Sequence, residues 1–406
     1  MQTYLVGGAV RDTLLNYPFH ERDWVVVGAS PQEMLSLGYQ QVGKDFPVFL
    51  HPKTKDEYAL ARTERKSGHG YTGFEVHCDP DVTLEEDLRR RDLTINAIAQ
   101  TEDGDYIDPY GGRQDIEDRL LRHVSEAFVE DPLRVLRTAR FAARYHHLGF
   151  SVAPETMDLM TKIVAQDELA HLPAERIWVE LDKALGERHP EVFVEVLRNC
   201  GALAQLLPEL EALFGVPQTA KHHPEIDAGI HTLMVVQQAV RLSEQKDVRF
   251  AALLHDLGKG ITPKDQLPRH IAHEKRGIKL VKQVCKRLKA PNQYRDLALK
   301  VCEFHLLCHT ARELRGRTLL RLLHNTDALR RPERFEAFLL ACEADARGRL
   351  GSEDAPYPQG DYLRRARIIA LGVSAEIFPG TEGKELGEAI AAERIRRLEG
   401  LRDSAG

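Results

Sequence analysis

The sequence predicts an α+β fold in which a mixed α/β region comes first and an all-helical region follows. Residues 1 to about 110 alternate β-branched runs with helical patterns. Residues 114 to about 220 lose the strand pattern, and helical patterns continue beyond them. The length of 406 residues allows more than one domain. We predict domains at 1–112, 113–220, 221–350 and 351–406, the last being a helical tail.

Composition and charge exclude several classes of protein. The chain is 43% hydrophobic and 29% charged, as in soluble globular proteins, and it has no apolar run long enough to span a bilayer. The N-terminus lacks a signal-peptide pattern, and the six cysteines include no Cys-x-x-Cys pair. We therefore expect a cytoplasmic protein without a membrane partner or an obligate protein partner. The net charge of −6 means that any RNA contact must come from local basic patches.

The first element is a short strand, Thr3 to Val6, that runs into Gly7-Gly8 and then into a helical pattern from Ala9. A strand, a glycine turn and a helix N-terminus allow backbone N–H groups to approach a phosphate. A plain tight turn would produce the same residues. The segment is therefore a candidate phosphate site whose meaning depends on the residues after it in the chain.

Two carboxylates come next, Glu21 and Asp23, at the start of a β-branched run that ends at Val27. Residues two apart on a strand project from the same face, so the pair predicts a hard-oxygen site suited to Mg²⁺. Glu57, on a strand predicted from Asp56 to Arg62, is either a third carboxylate of this site or a solvated strand residue.

Four further segments carry local signals. Ser30-Pro31 predicts a helix N-terminus. Residues 66–73 contain three glycines and predict a loop. The segment from Arg89 to Ala97 holds three arginines before Asp92 and Asn96, and a glycine turn follows at 108–112.

A basic helix is predicted to begin at Pro132, with Asp131 as its cap. Arg134, Arg137 and Arg140 follow at steps of three, which confines them to an arc of about 120°. Like charges on one face repel one another unless an anion or carboxylates lie opposite. The alternative is a solvated basic face.

The second half carries a different pattern of candidate metal ligands. His231 lies near a predicted helix start, and Asp345 lies farther along the chain. Another helix is predicted from Phe250 to Leu257, with His255 and Asp256 near its end. His273 and His305 are further histidines in this region. Imidazole ligands suit a transition metal better than magnesium.

The motifs of the first half resemble a known family. Gly7-Gly8-x-x-Arg11-Asp12, Glu21-x-Asp23, Arg91-Asp92 and the E-D-x-x-R segment at 130–134 occur in the order of the bacterial class II CCA-adding tRNA nucleotidyltransferases. The resemblance implies a polymerase-beta-like nucleotidyltransferase head with a mixed sheet, followed by a helical neck and body. Two departures are Glu21 in place of the usual aspartate and Leu93 in place of the usual phenylalanine.

The resemblance also implies an activity and its residues. The family adds C, C and A to the 3′ end of tRNA from CTP and ATP without a nucleic acid template. Carried over, Glu21 and Asp23 hold Mg²⁺ and are catalytic, while Asp131 and Arg134 pair with the base. The remaining nucleotide-binding residues that it implies are Gly8, Arg11, Arg91, Asp92, Arg137 and Arg140.

The second half resembles the HD phosphohydrolases, in which an H…HD…D set holds a divalent metal. His231, His255, Asp256 and Asp345 match that set, and His273 and His305 lie where some members hold a second metal. Among CCA-adding enzymes an HD domain is typical of the gammaproteobacterial multifunctional form. The resemblance implies phosphatase, 2′-nucleotidase and 2′,3′-cyclic phosphodiesterase activities, with Ni²⁺ as the favoured metal. A metal-free helical core is the alternative.

Two other functions compete with this interpretation. A bacterial poly(A) polymerase shares the head motifs, but such enzymes usually end in a long basic extension, and residues 399–406 are not basic. An inactive RNA-binding or nucleotide-sensing protein is the second alternative, and the intact carboxylates at 21 and 23 speak against it.

Overall fold

The computed structural model describes residues 1–19, 21–42, 48–66, 74–77, 79–220 and 225–403. It contains two compact units. The N-terminal unit comprises Met1–Ala184 and Val192–Leu206, and the C-terminal unit comprises Leu185–Glu191 and Leu207–Gly406. Apart from Lys66, the loop predicted at 66–73 lies outside the described residues.

The strands of the described residues all belong to the N-terminal unit. They are β1 Gln2–Val6, β2 Asp23–Val27, β3 Gln40–Val42, β4 Val48–Leu50, β5 Glu57–Leu60, β6 Thr63–Lys66, β7 Phe74–His77, β8 Ala99–Gln100, β9 Tyr106–Ile107, β10 Leu120–Leu121 and β11 Ser151–Val152.

Seven of these strands form a mixed sheet in the order β3-β4-β5-β2-β1-β8-β9. β2 and β5 are parallel, and the other neighbours are antiparallel. Consecutive residues of β2 project to opposite faces, as a strand requires. Val25 packs with Val6 and Leu88 in one apolar cluster, whereas Val26 packs with Phe49 in another. The central strands are thus fixed by burial on both faces.

Some of the helices within the described residues begin at local capping signals, and the helices are stabilised by packing against other elements. The α-helices are α1 Gly8–Leu14, α2 Pro31–Ser36, α3 Leu84–Arg89, α4 Gly112–Asp118, α5 Leu133–Tyr145, α6 Pro154–Ala165, α7 Ala174–Gly186, α8 Pro190–Asn199, α9 Ala202–Leu206, α10 Pro208–Glu211, α11 Ala228–Leu242, α12 Lys246–Leu254, α13 His273–Arg287, α14 Asn292–His309, α15 Gly316–Asn325, α16 Pro332–Arg347, α17 Pro358–Leu371 and α18 Gly383–Asp403.

Several helix starts were predictable from capping residues. Ser30 accepts a hydrogen bond from the Glu33 backbone N–H in a capping box, and Asp227 accepts bonds from two backbone N–H groups at the start of α11. α5 begins at Leu133, one residue later than predicted, but the Asp131 carboxylate still accepts the Leu133 N–H at 3.1 Å. α12 begins at Lys246 and ends at Leu254, so the helix predicted for Phe250 to Leu257 was placed too late.

The C-terminal unit is built on the mutual packing of α11, α12, α14 and α16. α12 is buried from Asp247 to Leu254, so its whole circumference lies in the core. The α+β class predicted from the sequence is confirmed. Within the described residues, no helix is both long and apolar enough to cross a membrane.

Two candidate active sites

A cavity of about 660 Å³ lies in the N-terminal unit. It is bounded by the Gly7-Gly8 turn, the strands β2 and β5, the segment 90–96 and α5. All the residues predicted for nucleotide transfer line it: Gly8, Arg11, Glu21, Asp23, Arg91, Asp92, Asp131, Arg134, Arg137 and Arg140. The fold therefore gathers side chains from several separate segments around one space.

The Gly7-Gly8 turn has a backbone that requires glycine. Gly7 has φ of +68° and ψ of −128°, a region that residues with a Cβ rarely adopt. A Cβ at this position would also lie 3.1 Å from Nη1 of Arg91. The turn places α1 directly after β1, with Gly8 and Arg11 on the cavity wall.

Three carboxylates lie on one side of the cavity. Asp23 is the first residue of β2, and Glu21 precedes the strand, so only one of the predicted pair is within it. Glu57 also lines the cavity and is paired in register with Asp23. Burial raises the pKa of Asp23, the Arg91 guanidinium opposes that shift, and Glu21 adds to it. An all-oxygen donor set of this kind fits a hard divalent cation.

Arg11, on the cavity wall, is held in place by buried groups. Its Nε and Nη2 each donate to Asp12 at 2.9 Å, and Nη1 donates to the side chain of Asn96. Its guanidinium carbon lies 5.0 Å from the ring centre of Phe141 and 5.1 Å from that of Tyr145. The buried carboxylate and the two rings fix the orientation of a cation whose edge lines the cavity.

Asp92 is a buried junction between the arginine segment and α5. Its Oδ2 accepts from Nε of Arg137 at 2.7 Å, and its Oδ1 accepts from Nδ2 of Asn96 at 2.9 Å. Burial alone would raise the pKa of Asp92, but Arg137 and the bond from Asn96 lower it far below the usual value. Asp92 is therefore a fixed negative charge that orients Arg137.

Asp131 and Arg134 are both held before any ligand binds. Asp131 Oδ2 accepts from Nη2 of Arg176 at 3.1 Å. Arg134 donates from Nη1 to the Ala127 carbonyl at 2.8 Å and from Nη2 to the Arg90 carbonyl. These contacts leave a carboxylate and a guanidinium facing the same cavity, which together can accept from and donate to a base edge.

The arginines predicted to share one face of α5 all line the cavity, but some of them are paired with carboxylates. Arg140 donates to Glu180 at 2.6 Å in a buried ion pair, and its guanidinium carbon lies 4.5 Å from the ring centre of Phe141. Phe141 also lines the cavity. Sequence reasoning missed Phe141, Arg144 and Arg176, although position 144 continues the arginine face by one helical turn.

A second cluster is buried in the C-terminal unit. His231 comes from α11, His255 caps the end of α12, and Asp345 comes from α16. The Oδ1 of Asp345 lies 3.1 Å from Nε2 of His231 and 3.6 Å from Nε2 of His255. Candidate ligand atoms of these three residues all lie within 4.8 Å of one another.

The fourth predicted ligand, Asp256, belongs to a neighbouring group. Its Oδ1 lies 3.1 Å from Nε2 of His273 and 3.7 Å from Nε2 of His305. Gly258 allows this approach, because a Cβ there would lie 1.9 Å from the backbone oxygen of His273. The six residues thus form two adjacent sets of three.

The geometry of both sets fits metal ions. Nε2 of His255 and Oδ1 of Asp256 are buried without a hydrogen bond of normal geometry, although each lies close to a possible partner. Both atoms would accept a cation. Burial alone would lower the pKa of His255, but the charges of Asp256 and Asp345 raise it to about 10, so a metal ion that binds Nε2 would displace a proton. Nitrogen and oxygen donors together suit a transition metal.

Two outer residues hold this cluster. Lys259 donates to Gln218 and lies 2.5 Å from Oδ2 of Asp256. His309 lies with Nε2 at 2.6 Å from Oδ2 of Asp345 and Nδ1 at 3.0 Å from the Tyr357 hydroxyl. Neither residue was included in the predicted ligand set, although His305 and His309 are spaced to share a face of α14.

Three protein-family models match the chain. They are described as "Poly A polymerase head domain" at residues 3–122, "Probable RNA and SrmB- binding site of polymerase A" at 149–214, and "HD domain" at 228–345. Both halves of the family resemblance seen in the sequence are therefore matched independently.

Full-length relatives are more similar still. The multifunctional CCA protein of Thioalkalivibrio sulfidiphilus is 61% identical over 408 residues, which cover 100% of each chain. That of Teredinibacter turnerae is 58% identical over 404 residues, covering 99% of this chain and 98% of the relative. The crystal structure of the Bacillus stearothermophilus CCA-adding enzyme in complex with CTP is 25% identical, with a TM-score of 0.61 and coverage of 98% and 89%. On the strength of the full-length relatives, the chain belongs to the family of multifunctional CCA proteins.

Proposed function

We propose that the N-terminal unit adds C, C and A to the 3′ end of tRNA, using CTP, ATP and Mg²⁺, and that the C-terminal unit carries a separate metal-dependent phosphohydrolase. The observation that carries the first part is the single cavity that contains both the carboxylates and the arginine face of α5. The phosphohydrolase is proposed as a phosphatase, a 2′-nucleotidase and a 2′,3′-cyclic phosphodiesterase.

The carboxylates define where nucleotidyl transfer takes place. Glu21 and Asp23 would hold Mg²⁺, with Glu57 close enough in the sheet to assist. A bound magnesium ion supplies Lewis acidity to the reacting phosphate and lowers the pKa of an attacking hydroxyl. The arginines on the same cavity, Arg11 and Arg91, compensate the negative charge of a triphosphate.

Nucleotide choice is assigned to Asp131 and Arg134. The Asp131 carboxylate accepts from the exocyclic amine that cytosine and adenine share, and the Arg134 guanidinium donates to ring acceptors. Arg176 and two backbone carbonyls hold the pair in place, which avoids an ordering cost when the base binds. Asp92 and Asn96 similarly orient Arg137 and Arg11.

The phosphohydrolase is assigned to the buried cluster of the C-terminal unit. His231, His255 and Asp345 would hold one metal ion, and Asp256, His273 and His305 offer a second set. A bound transition metal, Ni²⁺ in this proposal, supplies an activated water for attack on a phosphate ester. Lys259 keeps the Asp256 carboxylate charged and oriented, since it lies against Oδ2.

We retain the predicted domains 1–112, 113–220, 221–350 and 351–406 as a proposal. The first is supported by the end of the large sheet at β9, and the third by the HD match at 228–345.

A cytoplasmic location is likewise proposed. It is supported by the free, buried thiols of Cys200, Cys285, Cys302, Cys308 and Cys342.

One experiment tests both activities on one preparation. Transfer RNA lacking its 3′ end is incubated with Mg²⁺ and each triphosphate in turn, and product lengths are read at nucleotide resolution. Hydrolysis of a 2′,3′-cyclic nucleotide is measured in parallel with Ni²⁺. We expect two additions from CTP alone, a third when ATP is present, and metal-dependent hydrolysis. Long tracts from ATP alone would instead identify a poly(A) polymerase.

Two variants separate the sites. Asp23→Ala should abolish nucleotide addition and leave hydrolysis intact, because Asp23 lies in the N-terminal unit and the histidine cluster in the C-terminal unit. The paired His255→Ala, Asp256→Ala variant should have the opposite effect. If either variant folds correctly but loses both activities, one site serves both reactions.

A further inference from the structure

Helix α13 of the C-terminal unit carries a stripe of lysines on its exposed face. Lys275, Lys279, Lys282 and Lys286 are all exposed, and we name them the lysine stripe. At about 100° per residue they fall within an arc of only about 60°. The opposite face is buried through His273, Gly277, Val281, Val284 and Cys285.

The stripe is uncompensated within the described part of the chain. None of its four lysines makes an ion pair with a described residue, whereas the neighbouring Arg287 donates to Glu209 at 2.9 Å. Residues 273–289 contain one acidic residue, Glu274. Besides the four lysines of the stripe, they contain three more Lys or Arg residues. Like charges three and four apart weaken a helix slightly, and a bound anion would relieve that repulsion.

A groove next to the stripe extends the positive surface. It has a volume of about 550 Å³ and is lined by Lys282, Lys286, Lys289 and Arg295, with an apolar wall that includes Leu299. Arg295 lies 2.8 Å from Asp296, so part of its charge is balanced. The lysines of the stripe supply the remaining positive charge along the edge of the groove.

We propose that the lysine stripe binds the phosphodiester backbone of the RNA substrate, an inference that rests on the proposed function. The four lysines extend over about 16 Å of the helix, at a rise of about 1.5 Å per residue. A row of that length matches a polymer with regularly repeated phosphates better than a single small anion. A chain with a net charge of −6 requires such a local patch for RNA binding. The stripe thus adds an RNA contact outside both candidate active sites.

The proposal is tested by binding and its salt dependence. Transfer RNA lacking its 3′ end is titrated with the full-length protein at several KCl concentrations, by fluorescence anisotropy. The variant carries Lys275→Gln, Lys279→Gln, Lys282→Gln and Lys286→Gln. The logarithm of the binding constant falls as the logarithm of the KCl concentration rises, and each lost phosphate contact should make this slope less steep by about 0.7 to 0.9. We expect binding at least tenfold weaker, a higher KM for tRNA and an unchanged kcat at saturating tRNA.

A matched control separates the stripe from net charge. Lys53→Gln, Lys55→Gln, Lys264→Gln and Lys384→Gln remove the same charge from exposed positions that line neither the cavity of the N-terminal unit nor the groove. The control should keep the slope within about half a unit of the wild type. Equal loss in both variants, or no loss in the stripe variant, would overturn the proposal.

A single charge reversal distinguishes binding from helix stability. Lys279→Glu places opposite charges three and four residues apart on α13, so the melting temperature should not fall. RNA affinity should nevertheless fall more than with Lys279→Gln.

If the stripe variant instead lost only binding to vesicles containing phosphatidylglycerol, the partner would be a membrane and the proposal would be wrong. A wild type that binds RNA through the stripe but adds no nucleotides would refute the proposed function and leave the stripe standing.

Discussion

Glu57 on β5 is paired in parallel register with Asp23 on β2. Residues paired in this way on adjacent strands project to the same side of the sheet, and both of these line the cavity of the N-terminal unit. The sequence left open whether Glu57 is a third carboxylate or a solvated strand residue. Its position favours the first.

We expect Glu57→Gln to weaken metal-dependent nucleotide addition. Removing one of three carboxylates around a cation lowers the affinity of the site for that cation. The expected loss in kcat/KM is about tenfold or more at low Mg²⁺, recovering as Mg²⁺ is raised. Glu102→Gln is the control, because Glu102 accepts from Thr3 and does not line the cavity. Equal activity at every magnesium concentration would mean that Glu57 is merely solvated.

The carboxylate site shows what the sequence could and could not predict. The run of Trp24 and three valines that ends at Val27 predicted a strand. That β5 would lie beside β2 could not be predicted, because the pairing joins segments more than thirty residues apart and is set by packing on both faces of the sheet. The predicted strand also included Glu21, whereas β2 begins only at Asp23.

Arg176 is expected to affect nucleotide choice through Asp131. Its guanidinium donates to the Asp131 carboxylate, whose other oxygen accepts the Leu133 N–H. Arg176→Ala should leave Asp131 less ordered and reduce the ratio of CTP to UTP incorporation several-fold, or about 1 kcal/mol. Arg134→Ala should cost more, about 1–3 kcal/mol, because Arg134 is proposed to bind the base itself. Initial rates with each triphosphate measure both effects.

The control for this prediction is Arg113→Ala, an exposed arginine that does not line the cavity. It should leave the CTP to UTP ratio unchanged. If Arg176→Ala lowers the rate with every triphosphate equally and keeps the ratio, Arg176 acts on the triphosphate or on RNA. Its contact with Asp131 would then be incidental.

Asp87 is expected to make the N-terminal unit sensitive to acid. The carboxyl is buried, which alone would raise its pKa, but the guanidinium groups of Arg90 and Arg91 at 2.9 and 3.2 Å lower the pKa below its usual value. The unfolded chain then binds a proton more readily than the folded one. The stabilisation is present above about pH 4, the usual value for aspartate, and is lost as the pH falls through the folded pKa.

Asp87→Asn should therefore lower the free energy of unfolding by about 2–3 kcal/mol at pH 7, because it leaves two arginines without their shared carboxylate. The difference from wild type should narrow below about pH 4. Urea unfolding followed by tryptophan fluorescence reports on this unit, since Trp24 and Trp178 both belong to it. A difference that stays constant down to pH 3 would show that the charge of Asp87 is not what stabilises the fold.

The sequence indicated which residues would come together in the buried histidine cluster, but not how they would be grouped. The spacing of His231, His255, Asp256 and Asp345 matched a known motif, yet the structure groups Asp256 with His273 and His305. That grouping depends on the close approach of Gly258 to α13, a tertiary contact without a local sequence signal. His309 was not predicted to be a ligand, and in the structure it contacts a candidate ligand, Asp345, rather than being one.

His309 is expected to position Asp345 for metal binding. A carboxylate oxygen only accepts hydrogen bonds, so Nε2 of His309 carries the proton that bridges to Oδ2 of Asp345 at 2.6 Å. Nδ1 of His309 lies 3.0 Å from the Tyr357 hydroxyl, which itself donates to Sγ of Cys308 at 3.2 Å. This leaves Oδ1 of Asp345 directed to His231 and His255. Partners that fix a ligand in this way typically contribute about 10–100-fold to metal affinity.

His309→Ala should accordingly weaken Ni²⁺ binding by about 10–100-fold, measured by isothermal titration calorimetry on the metal-stripped protein. His309→Gln keeps a donor and should recover part of that affinity, while Tyr357→Phe should produce a smaller loss in the same direction. CCA addition with Mg²⁺ should be unchanged in all three variants, because the contact lies wholly within the C-terminal unit. If Ni²⁺ affinity stays at the wild-type value while hydrolysis is lost, His309 must act on the phosphate ester or on the attacking water, because its effect would not pass through Asp345.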